Sequence, residues 1–100
     1  KNSFVSMAVQ KVKPAVCRID TEQTITDTAQ SNSEKQLLHG QGSGILFSKD
    51  GLILTNAHVV EGWDKVSVLL TDGRKLTAKV IGIDPIVDLA VLKIDSAVEN

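Results

Sequence analysis

Apolar and polar residues alternate along most of this chain with a period of two. In residues 15–21, Ala15, Cys17 and Ile19 share one face and Arg18 and Asp20 the other. In residues 65–71, Val66, Val68 and Leu70 line up in the same way. Residues 40–48, 51–55, 74–83 and 89–94 complete a set of six predicted strands. Asp50-Gly51 and Asp72-Gly73 lie between apolar runs and signal tight hairpins, because Asp and Gly tolerate positive φ. Gly82 predicts a bulge or bend in the longest strand, and Asp84-Pro85-Ile86-Val87 a turn. Period-two strands joined by tight hairpins predict an all-β fold, a six-stranded antiparallel barrel.

Two stretches break the alternation. In residues 3–13, Phe4, Val5, Ala8, Val9 and Val12 recur at helical spacing behind a Ser3 cap, and Pro14 ends the pattern. This predicts a short N-terminal helix. Such a helix docks on its own domain or, led by its aromatic, reaches a neighbouring subunit. Residues 22–39 are rich in Thr, Gln, Ser, Asn and Asp with no apolar period, which predicts a long exposed loop carrying a solvated His39. Gly40, Gly42 and Gly44 then strip the side chains from one face of the next strand, so that other groups can approach closely. A phosphate-binding loop is disfavoured, since neither a Lys-Ser/Thr pair nor a helical pattern follows. Ser43 lacks the strand-to-helix turn that exposes a serine nucleophile.

One hundred residues make at most one domain, and with only Phe4, Phe47 and Trp63 as aromatics the core is built from Val, Ile, Leu and Ala. A formal net charge of −1 speaks against nucleic acid or an anionic membrane surface as partner. No apolar run approaches the ~20 residues of a membrane helix. Lys1-Asn2-Ser3 opens directly onto folded-looking sequence with no signal peptide, which processing could have removed. Cys17 is the only cysteine, so no internal disulfide forms; on the apolar strand face it is expected to be a buried, inert thiol.

Chemistry concentrates in Leu52-Ile53-Leu54-Thr55-Asn56-Ala57-His58-Val59-Val60, where an apolar strand delivers a histidine at the point where regular structure breaks. Histidine titrates near neutral pH, so one fixed at a strand end can act as a general base; it can equally be a structural residue. Asp88, thirty positions on, precedes the apolar strand Leu89-Ala90-Val91-Leu92. At a buried strand edge a carboxylate needs a partner, and an imidazole N–H is a good one. Asp88 could instead cap the Pro85 turn, a role better suited to Asp84. A metal site is disfavoured, because two candidate ligands are too few.

Thr55-Asn56-Ala57-His58-Val59-Val60 followed by Asp84-Pro85-Ile86-Val87-Asp88-Leu89-Ala90-Val91-Leu92-Lys93 resembles the HtrA/Deg family of trypsin-like serine proteases. Gly40-Gln41-Gly42-Ser43-Gly44-Ile45 and Thr71-Asp72-Gly73-Arg74 fit the same pattern, and the resemblance runs over residues 3–95. The N-terminal segment looks most like the photosynthetic-bacterial branch. The resemblance implies His58 as general base and Asp88 as its orienter, with no cofactor or metal. It implies a nucleophile in a downstream Gly-Asn-Ser-Gly-Gly-Pro motif, which these residues do not contain. Residues 1–100 are then expected to be the N-terminal β-barrel half of a protease domain, inactive alone and exposing an apolar face. The parent is expected to cleave unfolded or damaged polypeptides in protein quality control, in the periplasm or cell envelope, with membrane association left open. A homo-oligomer, a trimer assembled through the Phe4 segment, is implied too, with residues 22–39 as a variable regulatory loop. The alternative is a non-catalytic β-barrel interaction module in which His58 and Asp88 are structural.

Overall fold

A computed structural model describes residues 13–26 and 35–95. The helix expected over residues 3–13 lies essentially outside these. Six strands form: β1 (Ala15–Thr26), β2 (Lys35–Leu46), β3 (Leu52–Thr55), β4 (Lys65–Leu69), β5 (Lys75–Asp84) and β6 (Leu89–Ile94). One helical turn, α1 (Ala57–Val60), follows β3. The strands close into an antiparallel barrel in the order β1-β2-β3-β6-β5-β4, with β4 returning to β1.

The alternation decides what the barrel encloses. Cys17 and Ile19 of β1, Ile53 of β3, Val66 and Val68 of β4, Ala78 of β5, and Ala90 and Leu92 of β6 point inward and pack with Val60 of α1. Each large aliphatic side chain buried this way contributes about 1.5–3 kcal/mol through apolar area removed from water. The hairpins form where Asp-Gly signalled them, Gly51 and Gly73 holding φ of +87° and +96°. The Ser48 hydroxyl accepts from the Asp50 and Leu52 amides at 3.2 Å each, which tightens the first turn. The β5–β6 register shifts between Val80 and Gly82, so the bulge falls where Gly82 announced it.

The loop expected over residues 22–39 is not a loop through most of its length. β1 runs on to Thr26 and β2 starts at Lys35, paired from Glu22↔His39 to Thr26↔Lys35. The result is a two-stranded ribbon projecting past the barrel. The backbone groups that face each other pair across the ladder and those on the outer edges face solvent, so no buried face is required. Residues 24–26 and 36–39 are exposed, hence the missing apolar period. His39 is solvated, as expected, but it sits on a strand.

Candidate active site

β3 ends at Thr55, whose hydroxyl donates to the Ser43 carbonyl at 2.7 Å and ties the strand end to β2. The chain then turns into α1, and the β2 glycines make room for it. A Cβ at position 42 would lie 2.6 Å from Val59 Cγ1, closer than carbon atoms tolerate. Gly40 admits the Trp63 ring in the same way, with a hypothetical Cβ 2.9 Å from the indole. Val59 and Trp63 therefore rest on a strip of bare backbone. Ala57 and Val60 of the same turn are buried, which leaves His58 on the outer side with its side chain 72% exposed.

Asp88 meets His58 from the tip of the β5–β6 hairpin. The turn before it is held by Asp84, whose carboxylate accepts from the Ile86 amide at 3.0 Å, the capping role read from the sequence. Asp88 is then free to face His58. It is the one non-glycine residue with positive φ among the described residues, at +60°. This left-handed conformation costs an L-residue about 1 kcal/mol, less for Asp than for most. From it, Oδ1 accepts the His58 backbone N–H at 2.9 Å and Oδ2 lies 2.7 Å from His58 Nδ1. The Asn56 side-chain amide donates to the Asp88 carbonyl at 3.1 Å.

The electrostatics follow from these contacts. The His58 backbone N–H, then the hydrogen bond from the ring, hold the Asp88 carboxyl below the usual carboxylate range. An ionised carboxylate only accepts, so Nδ1 carries the proton facing it, and in the neutral imidazole Nε2 then presents its lone pair outward. One expectation needs correction. Asp88 was read as a carboxylate at a buried edge, yet its side chain is 42% exposed. The hairpin tip carries it beyond the barrel wall, so geometry and not burial pairs it with His58. Burial pushes the Cys17 thiol up, in keeping with an inert residue. No group of three His, Cys, Asp or Glu side chains that could hold a metal ion occurs among the described residues.

Beside the pair, Val16, Ile45 and Leu54 are in-register neighbours across β1, β2 and β3 and point outward. They are 65%, 43% and 36% exposed, and with Leu89 and Asn56 they line an open cleft of about 330 Å³. Sequence reasoning assigned no role to Asn56. Its place two residues before His58 was the available signal, but its partner lies across the hairpin and has no sequence signature.

Residues 42–99 match the model of the trypsin-like peptidase domain. HhoB of Synechocystis sp., named a serine protease, is 40% identical over 94% of this chain and 26% of its own length. A DegP-like protein of Halomonas elongata, named a periplasmic serine endoprotease, is 52% identical over 68% of the chain and 14% of its own length. Among solved structures, the HtrA-type protease AlgW with a decapeptide superposes with a TM-score of 0.71 at 32% identity, covering 96% of this chain and 34% of that one. The chain thus spans about a quarter of the length of HhoB. With a barrel of trypsin-like topology, a matching domain model and these relatives, the chain belongs to the trypsin-like peptidase family, in its HtrA/Deg branch.

Proposed function

We propose that this chain is the N-terminal barrel of a serine endopeptidase, with His58 as general base and Asp88 as its orienting carboxylate. The observation that carries the reading is the 2.7 Å contact between His58 Nδ1 and Asp88 Oδ2, which leaves Nε2 open to a reacting group. In the proposed reaction, Nε2 takes the proton of a serine hydroxyl as it attacks a peptide carbonyl and returns it to the leaving amine. Asp88 holds the ring in the tautomer that keeps Nε2 unprotonated and stabilises the imidazolium formed in between.

The serine comes from outside these residues, since residues 1–100 contain no Gly-Asn-Ser-Gly-Gly motif. The outward row of Val16, Ile45 and Leu54 supports this, because an apolar surface beside the pair suits a second half that brings the nucleophile. The names of HhoB and the DegP-like relative support a protease parent, and the latter an extracytoplasmic one; action on unfolded or damaged polypeptides rests on the family resemblance alone. Assembly as a homo-oligomer, a trimer, rests on the family resemblance alone.

The purified 100-residue chain is expected to be inactive on unfolded casein and unlabelled by a fluorophosphonate probe. Turnover or labelling above a His58→Ala control would sink that expectation. In the complete protein His58→Ala should abolish turnover, and retained turnover would remove His58 as base. Sedimentation should show the isolated chain self-associating through its apolar row; a strict monomer at high concentration counts against an uncovered docking face.

A further inference from the structure

Asn56 stands at the position that precedes α1, where asparagine ordinarily caps a helix by accepting from an amide of the first turn. Its side chain makes no such bond. Nδ2 donates instead to the Asp88 carbonyl at 3.1 Å, across the mouth of the β5–β6 hairpin. Carbonyl oxygen only accepts, so the amide must present its NH2 to it.

The receiving residue is the one whose backbone most needs holding. Asp88 keeps a φ of +60° immediately before β6, which is extended from Leu89 onward. The relaxed alternative is for Asp88 to join that extended backbone, since L-residues favour it. Such a change would redirect both its carbonyl and its carboxylate. From the left-handed conformation observed here the carboxylate makes both of its contacts with His58, at 2.9 and 2.7 Å. Residues 56 and 58 therefore grip Asp88 at both ends, its carbonyl through Asn56 and its carboxylate through His58.

We infer that Asn56 is a positioning residue for the His58–Asp88 pair: by fixing the Asp88 carbonyl it maintains the left-handed backbone from which the carboxylate orients the imidazole. The functional meaning rests on the reading of His58 as general base, but the geometric claim does not. Asn56 also lines the apolar cleft with Leu54 and Leu89, so a partner covering that cleft would shield this hydrogen bond from water and strengthen it.

The test uses the 100-residue chain with Asn56→Ala and Asn56→Asp, the second a near-isostere whose ionised carboxylate cannot donate. Amide exchange is followed at His58, which is bonded to Asp88, and at Ile53 and Leu92 in the core. Carbon NMR follows the Asp88 carboxyl through its titration. In both variants the His58 amide should exchange about three- to tenfold faster, the loss of one hydrogen bond's net contribution, with Ile53 and Leu92 unchanged. In Asn56→Ala the Asp88 titration should move up from its depressed position toward that of a free carboxylate. If His58 exchange and Asp88 titration match the parent chain in both variants, the inference falls and the base reading stands. Loss of protection at Ile53 and Leu92 in both would make Asn56 a residue of the fold and also overturn it. Confirmation here, with turnover retained by His58→Ala in the complete protein, would sink the base reading and leave the positioning intact.

Discussion

The β1–β2 hairpin is two structures built on one uninterrupted ladder. Its inner half, residues 15–22 with 39–46, forms part of the barrel wall, and its outer half, residues 23–26 with 35–38, projects as a ribbon beyond the last β1–β4 pair, Glu22↔Lys65. The antiparallel register runs unbroken from Ala15↔Leu46 to Thr26↔Lys35. Only the surroundings differ. In the inner half Cys17, Ile19 and Thr21 are buried beneath the other strands, whereas in the outer half Ile25, Leu37 and Leu38 stay 40–53% exposed. Backbone hydrogen bonding thus continues where burial stops. Alternation reports a covered face, and its absence does not report the absence of a strand.

The contrast can be broken most forcefully in the barrel wall. Ile19→Ala removes a fully buried side chain and should cost about 3 kcal/mol in urea unfolding, through lost transfer energy and a cavity. A loss under about 1 kcal/mol would mean that the inner half is no more buried than the ribbon. Next comes Gly42→Val, which drives a side chain into the space of Val59 and should cost about 2 kcal/mol by overpacking. An unchanged urea midpoint would show that α1 does not depend on the bare strip beneath it.

The junction of the two halves is held by Asp64, which donates its amide to Glu22 O at 3.0 Å and accepts the Thr24 amide through Oδ2 at 3.1 Å. Asp64→Ala should cost about 1 kcal/mol and speed amide exchange at Thr24 while Ile19 stays protected. Equal loosening at both residues would mean that ribbon and wall open together. Smallest is Leu37→Ala, expected within about 0.5 kcal/mol of the parent chain because this side chain is already 53% exposed. A cost approaching that of Ile19→Ala would mean that the ribbon is covered after all.

Much of the fold could be read before the structure, for a local reason. Inward residues such as Val66, Val68 and Leu92 repeat every second position, and Asp50-Gly51 and Asp72-Gly73 mark chain reversals through their own backbone preferences. The β2 glycines advertised a close approach, and Val59 and Trp63 supply it. The ribbon escaped this reading because its stabilising groups are backbone amides and carbonyls, which every residue carries. Asp88 is less buried than its apolar sequence neighbours Leu89 and Ala90 suggest, because burial is set by what packs on the hairpin tip and Leu89 itself is 41% exposed.

What the sequence by itself determined was the barrel and the candidate pair: alternation, turn chemistry and the chemical types of His58 and Asp88 all belong to single short stretches. What only the tertiary structure decided was how those stretches meet. The left-handed turn of Asp88, its carboxylate gripped by His58 and the Asn56 amide diverted from helix capping to the Asp88 carbonyl depend on β3 lying beside β6. A local pattern can require that a carboxylate find a partner, but the direction in which it points is set by a neighbour some thirty residues away along the chain.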